Sequence, residues 1–117
     1  MDRVEEMFED IPLSFYILLG GFCIELNQPE MARKWFDDAI EKAPPGETPL
    51  IVIGDLLMQA HAHDLAREYL QQAVDEEQAL GYAHASLGIL DMIAEDERSA
   101  RGHWRKARRI ARKNRDN

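Results

Sequence analysis

Cysteine is almost absent from this 117-residue sequence, and long hydrophobic runs are missing. The single cysteine, Cys23, cannot form a disulfide within the chain, so nothing indicates an oxidising compartment. The most apolar stretch, residues 13–26, contains a glutamate and is too short to cross a bilayer. The first residues are acidic and lack the basic start of a signal or transit peptide. We therefore expect a cytoplasmic protein that does not act on membranes.

The motifs that usually carry catalysis are missing too. The sequence contains no glycine-rich phosphate loop, no nucleophile motif and no HExxH motif. His61 and His63 point to different sides of a helix, and His84 and His103 fall elsewhere, so no compact metal site is predicted. Cys23 is expected to be inert packing, because a reactive thiol needs a basic, exposed setting. We expect no enzymatic activity, no cofactor and no metal.

Charge is distributed very unevenly along the chain. From residue 98 onward there are nine basic residues and one acidic residue, whereas residues 1–97 hold five basic and 21 acidic residues. The formal net charge of −8 therefore divides into −16 for the body and +8 for the last segment. Any account of function has to explain this division.

A repeat of 34 residues runs through the sequence. Residues of one type recur at this spacing in several sets, and each set is called a column below. Five columns share the register: Gly20, Gly54 and Gly88; Ala32, Ala66 and Ala100; Ala39, Ala73 and Ala107; Leu19, Ile53 and Leu87; and Phe36, Leu70 and Trp104.

The columns have a physical reason if each repeat is a pair of antiparallel helices. The glycine lies on the first helix where the second must come close, and the alanine is the opposing small residue. The large apolar residue lies four positions after the alanine, on the same helical face, and fills the space below. Two helices patterned in this way can interlock tightly.

These columns resemble the tetratricopeptide repeat family, whose period is 34 residues. In the first repeat the family's signature positions fall on Tyr16, Leu19, Gly20, Cys23, Ala32, Phe36, Ala39 and Pro44. The second repeat lacks the closing proline, and the third keeps mainly its glycine, alanines and aromatic residue. The resemblance implies an all-α fold, a right-handed α-solenoid of three antiparallel helix pairs, and a function in binding other polypeptides.

The repeat also predicts the organisation of the chain. Residues 1–12 form an acidic N-terminal segment, and the repeats span 13–46, 47–80 and 81–114, the last ending in a basic capping helix. Turn residues place the ends of the helices, with Thr48 and Asp64 as candidate caps. The predicted helices are 13–26, 29–43, 49–61, 64–79, 82–94 and 97–114.

The resemblance places a peptide-binding groove on the first helix of each pair. Its residues are spaced i, i+4, i+7 and form one stripe on each helix. They are Ile17, Gly21, Ile24, Ile51, Asp55, Met58, Ala85, Ile89 and Met92. Most are apolar, which suits an apolar or helical segment of a partner, and Asp55 is expected to offer a lone negative charge. Alternatively, the N-terminal segment covers the groove, or the stripe is a homodimer contact.

The last helix carries a continuous stripe of arginines at steps of 3 and 4 residues: Arg98, Arg101, Arg105, Arg108, Arg112 and Arg115. Ala100, Trp104, Ala107 and Ala111 are expected on its buried side. The stripe is interpreted as a solubilising cap, as a docking surface for an acidic protein, including a second copy, or as a nucleic-acid contact. Nucleic acid is disfavoured because the acidic body repels phosphates.

Together these features favour a protein- or peptide-binding adaptor, chaperone-like in character, that holds a partner segment in its groove. The alternative is a self-assembling structural module in which the basic last helix of one copy docks on the acidic body of the next. Binding of nucleic acid through the arginines is the least favoured of the three.

Overall fold

A computed structural model describes the backbone of residues 11–116 and the side chains of residues 11–114. This part consists of α-helices joined by short turns and contains no strand, which confirms the all-helical prediction. The helices are α1 (Leu13–Glu25), α2 (Pro29–Lys42), α3 (Pro49–Gln59), α4 (His63–Asp75), α5 (Leu80–Ile93) and α6 (Glu97–Asp116). No helix in the described range is both long enough and apolar enough to span a bilayer.

The structure describes the start of α4, where Asp64 was predicted to cap, and the start of α6, for which no cap was predicted. At α4 the prediction was wrong, because the capping position is Ala62, which makes no side-chain hydrogen bond, and Asp64 lies in the first turn. At α6 the backbone N–H of Ser99 donates to Asp96 Oδ1 at 3.2 Å. This hydrogen bond lowers the pKa of Asp96 and satisfies an N–H at the start of the helix.

The turn inside each helix pair has the same backbone conformation. Asn27, His61 and Glu95, which are 34 residues apart, each adopt a left-handed conformation, with φ of 59°, 62° and 63°. The next residue's N–H then donates to the carbonyl five residues earlier, over 2.7 to 2.9 Å. This is the Schellman ending, which satisfies carbonyls that the helix leaves unpaired. The 34-residue repeat is thus present in the backbone.

Each pair is also closed by the same contact between a glycine and a large side chain. A Cβ added at Gly20 would collide with the Phe36 ring, and one added at Gly54 would collide with Leu70. At Gly88 the collision would be with the indole of Trp104. Glycine is therefore required at these positions for the helices of a pair to approach.

The chain divides into two compact units, Met1–Pro49 and Leu50–Asn117. In the first unit, α1 packs on α2 around Tyr16, Cys23 and Phe36, all of which are buried. In the second unit, α5 packs against both α4 and α6. Its core contains the fully buried side chains of Leu50, Ile53, Leu57, Leu70 and Leu87.

Candidate functional site

In the second unit, α5 presents large apolar side chains to solvent. Tyr82, Ala85, Ile89 and Met92 follow one another at steps of 3, 4 and 3 residues and so form one helical stripe. Ile89 is 47% exposed and Met92 is 44% exposed, while Ala85 is half-buried. Burial of such side chains is favourable by about 1.5–3 kcal/mol each, so an open stripe of this kind is a candidate binding surface.

Helix α3 contributes a second apolar stripe to the same face. Ile51, Asp55 and Met58 are half-buried, and Val52 beside them is 51% exposed. The hydroxyl of Tyr82 on α5 donates a hydrogen bond to Asp55 Oδ1 at 3.0 Å, which joins the two stripes. We call this surface the α3–α5 face; of the predicted groove residues it contains Ile51, Asp55, Met58, Ala85, Ile89 and Met92.

The hydrogen bond between Tyr82 and Asp55 gives Asp55 a second role. The carboxylate that was expected to offer a lone negative charge to a partner's cation also accepts a hydrogen bond from the phenol. The same hydrogen bond, with burial and the carboxylate's charge, raises the pKa of Tyr82. Asp55 therefore links α3 to α5 in addition to facing solvent.

The other three predicted groove residues lie on α1, in the first unit. Gly21 and Ile24 are half-buried. Ile17 is only 6% exposed and belongs to the buried residues of this unit, next in sequence to the buried Tyr16. Of the nine predicted groove residues, Ile89 and Met92 are exposed, Ile17 is buried and the other six are half-buried.

The arginine stripe of α6 is open to solvent along its described length. Arg98, Arg101, Arg105, Arg108 and Arg112 are exposed, and the side chain of Arg115 lies outside the described part. Arg101 pairs with Glu97 at 2.8 Å, but both side chains are about two-thirds exposed, so this ion pair contributes little to stability.

The expected buried side of α6 is only partly buried. Ala100 is fully buried and Ala107 is half-buried, but Ala111 is exposed and Trp104 is 40% exposed. The indole of Trp104 lies against Gly88 and donates its N–H to the carbonyl of Ala85 at 3.3 Å. One side of the ring is held by α5 and another remains open.

A polar cluster that the sequence analysis did not predict joins α4, α5 and α6. Arg67 Nη1 on α4 lies 2.9 Å from Asp91 Oδ1 on α5. Asp91 Oδ2 lies 3.6 Å from His103 Nε2 on α6, and His103 Nδ1 lies 3.0 Å from His84 Nδ1 on α5. The two imidazoles are stacked, and Asp91 and His84 are buried.

The signal for this cluster was present in the columns. His84 stands where the other repeats have Tyr16 and Leu50, and Asp91 stands where they have Cys23 and Leu57. At these two positions the third repeat departs from the pattern of the other two. In the structure they are polar residues at core positions. Buried polar side chains need hydrogen-bond or ion-pair partners, and the repeat pattern does not identify those partners.

The contact between the two histidines requires them to take different roles. One Nδ1 must donate and the other must accept, and His103 is the acceptor if its own proton is on Nε2, which faces Asp91. Burial lowers the pKa of His84, and His103 and Lys106 lower it further. Burial also lowers the pKa of His103, an effect that Asp91 opposes and that Lys106 and Arg67 reinforce. Both shifts favour the neutral form of the imidazoles.

This arrangement predicts that the second unit loses stability in acid. Both histidines have a folded pKa below the ordinary value of about 6.5, so the unfolded chain binds protons more readily, and stability falls as the pH drops below about 6.5. Replacing His84→Leu and His103→Tyr together restores the residues of the second repeat and should flatten this dependence. The measurement is urea unfolding at about pH 7.5 and about pH 5, followed by circular dichroism.

The matched control for the acid experiment is His63→Gln, since His63 lies outside the cluster. This variant should keep the acid sensitivity of the wild type. Equal acid sensitivity in the wild type and the double variant would show that the cluster does not cause it.

None of the described residues form a group of three or more His, Cys, Asp or Glu side chains that could hold a metal ion. Comparison of the chain with models of protein families, with curated proteins and with solved structures found no match in any of the three.

Proposed function

We propose that this chain is a protein-binding adaptor that holds an apolar or helical segment of a partner, and that it is not an enzyme. The three helix pairs would form a right-handed α-solenoid of the tetratricopeptide type. The turns and glycine contacts that recur in each pair support this arrangement. The proposal includes a cytoplasmic location, and the single cysteine, which is buried and free, is compatible with it.

The observation that carries the proposal is the exposed apolar stripe on the α3–α5 face. Exposed apolar side chains occur singly on most proteins, but here Val52, Ile89 and Met92 accompany the exposed Tyr82 on two helices joined by a hydrogen bond. Methionine adapts its shape to varied apolar side chains, which suits a surface that accepts a segment of another protein.

The chemistry of the face indicates what kind of segment it binds. Apart from Asp55, the residues named on this face are uncharged, so the attraction comes mainly from burial of apolar area. An amphipathic helix that presents apolar residues at i, i+3, i+4 and i+7 would match the spacing of the stripe on α5. The affinity of such a segment should persist at high salt, because apolar burial is not screened.

The test uses peptides selected on the wild-type protein from a random displayed library. We expect the selected peptides to carry apolar residues at helical spacing. Ile89→Glu should weaken their binding by at least about tenfold, or 1.4 kcal/mol, because a carboxylate would be buried without a partner. Fluorescence anisotropy with the labelled peptide gives the affinity of each variant.

The matched control is Met31→Glu, which changes a side chain of similar exposure (54%) on α2. It should leave peptide affinity unchanged. Both variants should melt within a few degrees of the wild type, since surface substitutions usually change stability by less than about 0.5 kcal/mol. Unfolding of Ile89→Glu, or an equal loss of affinity in Met31→Glu, would contradict the proposed face.

A further inference from the structure

Helix α1 carries an apolar stripe that is open to solvent. Phe15, Leu18, Phe22 and Leu26, which follow at steps of 3, 4 and 4 residues, are 52%, 46%, 50% and 72% exposed. The side of α1 that packs on α2 is a different one and holds Gly20, which touches Phe36. Two phenylalanines and two leucines on an open helix face are unusual for a solvated surface.

The repeat shows what this face does in the second unit. Two periods further along, the columns of Phe15, Leu18 and Phe22 contain the α5 residues Ala83, Ser86 and Leu90, which are all buried. Helix α5 uses its glycine side for α6 and also packs on α4, the second helix of the preceding pair. The stripe on α1 is thus the counterpart of a face that α5 buries within the second unit, where α4 is a packed neighbour.

The repeat also identifies the face that a second helix offers to the pair that follows. Arg67 on α4 reaches forward to Asp91 on α5 at 2.9 Å, so its column points toward the next pair. On α6 that column holds Arg101, which together with Trp104, Arg105 and Arg108 lines a shallow pocket of about 250 Å³. This α6 face is open, and it carries positive charge around a partly exposed indole.

We infer that the chain associates with itself head to tail, the apolar stripe on α1 of one copy docking on the α6 face of a second copy. The two surfaces are the open counterparts of a contact that α4 and α5 already make within the second unit. The inference uses none of the residues of the α3–α5 face, so it is independent of the proposed function.

Charge supports a second copy as the occupant. Residues 1–10, which precede α1, contain five acidic residues and one basic residue, whereas residues 98–117 contain nine basic residues and one acidic residue. The two ends are therefore opposite in sign, and the attraction is added to burial of the phenylalanines against the indole and the arginine stems. Arginine also interacts favourably with the faces of aromatic rings. The uneven charge then contributes to docking between copies. A solubilising cap would not require opposite charges at the two ends of the chain.

The head-to-tail contact is tested by two variants that each remove one surface. Phe22→Glu places a carboxylate in the α1 stripe, and Arg105→Glu with Arg108→Glu reverses the α6 face; all three residues are exposed. We expect the wild type to self-associate in sedimentation velocity at low salt, and each variant alone to be monomeric. A mixture of the two variants should form a one-to-one dimer and nothing larger. The Phe22→Glu chain keeps its α6 face and the double-arginine variant keeps its α1 stripe, so only one pair of matching surfaces remains.

The mixed dimer should dissociate at least tenfold more readily at 1 M salt than at low salt, because screening removes the charge attraction. Deleting residues 1–10 should weaken self-association for the same reason. Ile89→Glu should self-associate like the wild type while losing peptide binding, so failure of one proposal can be told from failure of the other.

Three results would overturn the inference. The first is a wild type that stays monomeric at every concentration and salt. The second is a mixture of the two variants that does not dimerise although both are folded by circular dichroism. The third is stronger association after deletion of residues 1–10, since the chain's own N-terminal segment would then be covering the stripe. A monomeric wild type whose α6 arginines bind single-stranded RNA would assign the basic face to nucleic acid instead.

Discussion

Replacing Gly54 by leucine should lower the free energy of unfolding by about 3 kcal/mol, the upper part of the range for overpacked cores. A Cβ at this position would lie 2.6 Å from Leu70 Cδ2 and 2.7 Å from Leu70 Cγ, well inside contact distance. Leu70 is fully buried and cannot turn away without disturbing its neighbours. The added side chain must therefore push α3 and α4 apart or force Leu70 out of its rotamer.

The same substitution at Gly102 is the control. Gly102 lies within α6, and a Cβ there would meet no atom within 4 Å. Leucine is a better helix former than glycine, so Gly102→Leu should leave stability unchanged or raise it by up to about 1 kcal/mol. Urea unfolding followed at the helical band of circular dichroism compares the two variants. Equal stability of both would mean that Gly54 does not mark a close contact between helices.

The 34-residue columns were sufficient to predict the six helices, because a glycine facing a large side chain is a local requirement that recurs in each pair. The ends of helices were less predictable. Helix α4 ends at Asp75, four residues before the predicted end, and Glu77 then adopts φ of 56°. A glutamate gives no hint of a left-handed turn, since glycine and asparagine are the residues that favour it.

The candidate site was partly predictable for a related reason. The resemblance to the tetratricopeptide repeat family implied that Ile89 and Met92 face outward on α5, and the structure exposes both. The exposed stripe that contains Phe15 and Phe22 was not predicted. Apolar residues occur on nearly every side of α1, so the sequence pattern does not indicate which side is buried. Long-range pairs such as Tyr82 with Asp55 depend on packing between helices, which one sequence does not specify.

The cluster around Asp91 leads to the second large effect. Replacing Arg67 by alanine should destabilise the second unit by about 3 kcal/mol, because it leaves a buried carboxylate without its cation. The side chain of Asp91 is 5% exposed, and its Oδ2 makes no hydrogen bond to any part of the chain that is described. His103 Nε2 is 3.6 Å away and, while neutral, supplies little compensation.

Removing the carboxylate should be far less costly than removing the arginine. Asp91→Leu restores the residue of the second repeat, Leu57, and leaves Arg67, whose side chain is 41% exposed and can return to water. Well-packed apolar replacements of buried ion pairs are often neutral or stabilising, so Asp91→Leu should lie within about 1 kcal/mol of the wild type. The cost therefore depends on which of the two charges is left in the core.

A double-mutant cycle separates these contributions. Once leucine occupies position 91, Arg67→Ala should cost less than about 1 kcal/mol, since no carboxylate remains to be stranded, and the coupling energy should account for most of the loss in the single variant. Urea unfolding of the four proteins near neutral pH provides the four free energies. If Arg67→Ala costs the same in both backgrounds, the arginine acts through the packing of its stem on α4, and the ion pair with Asp91 contributes nothing to the stability of the second unit.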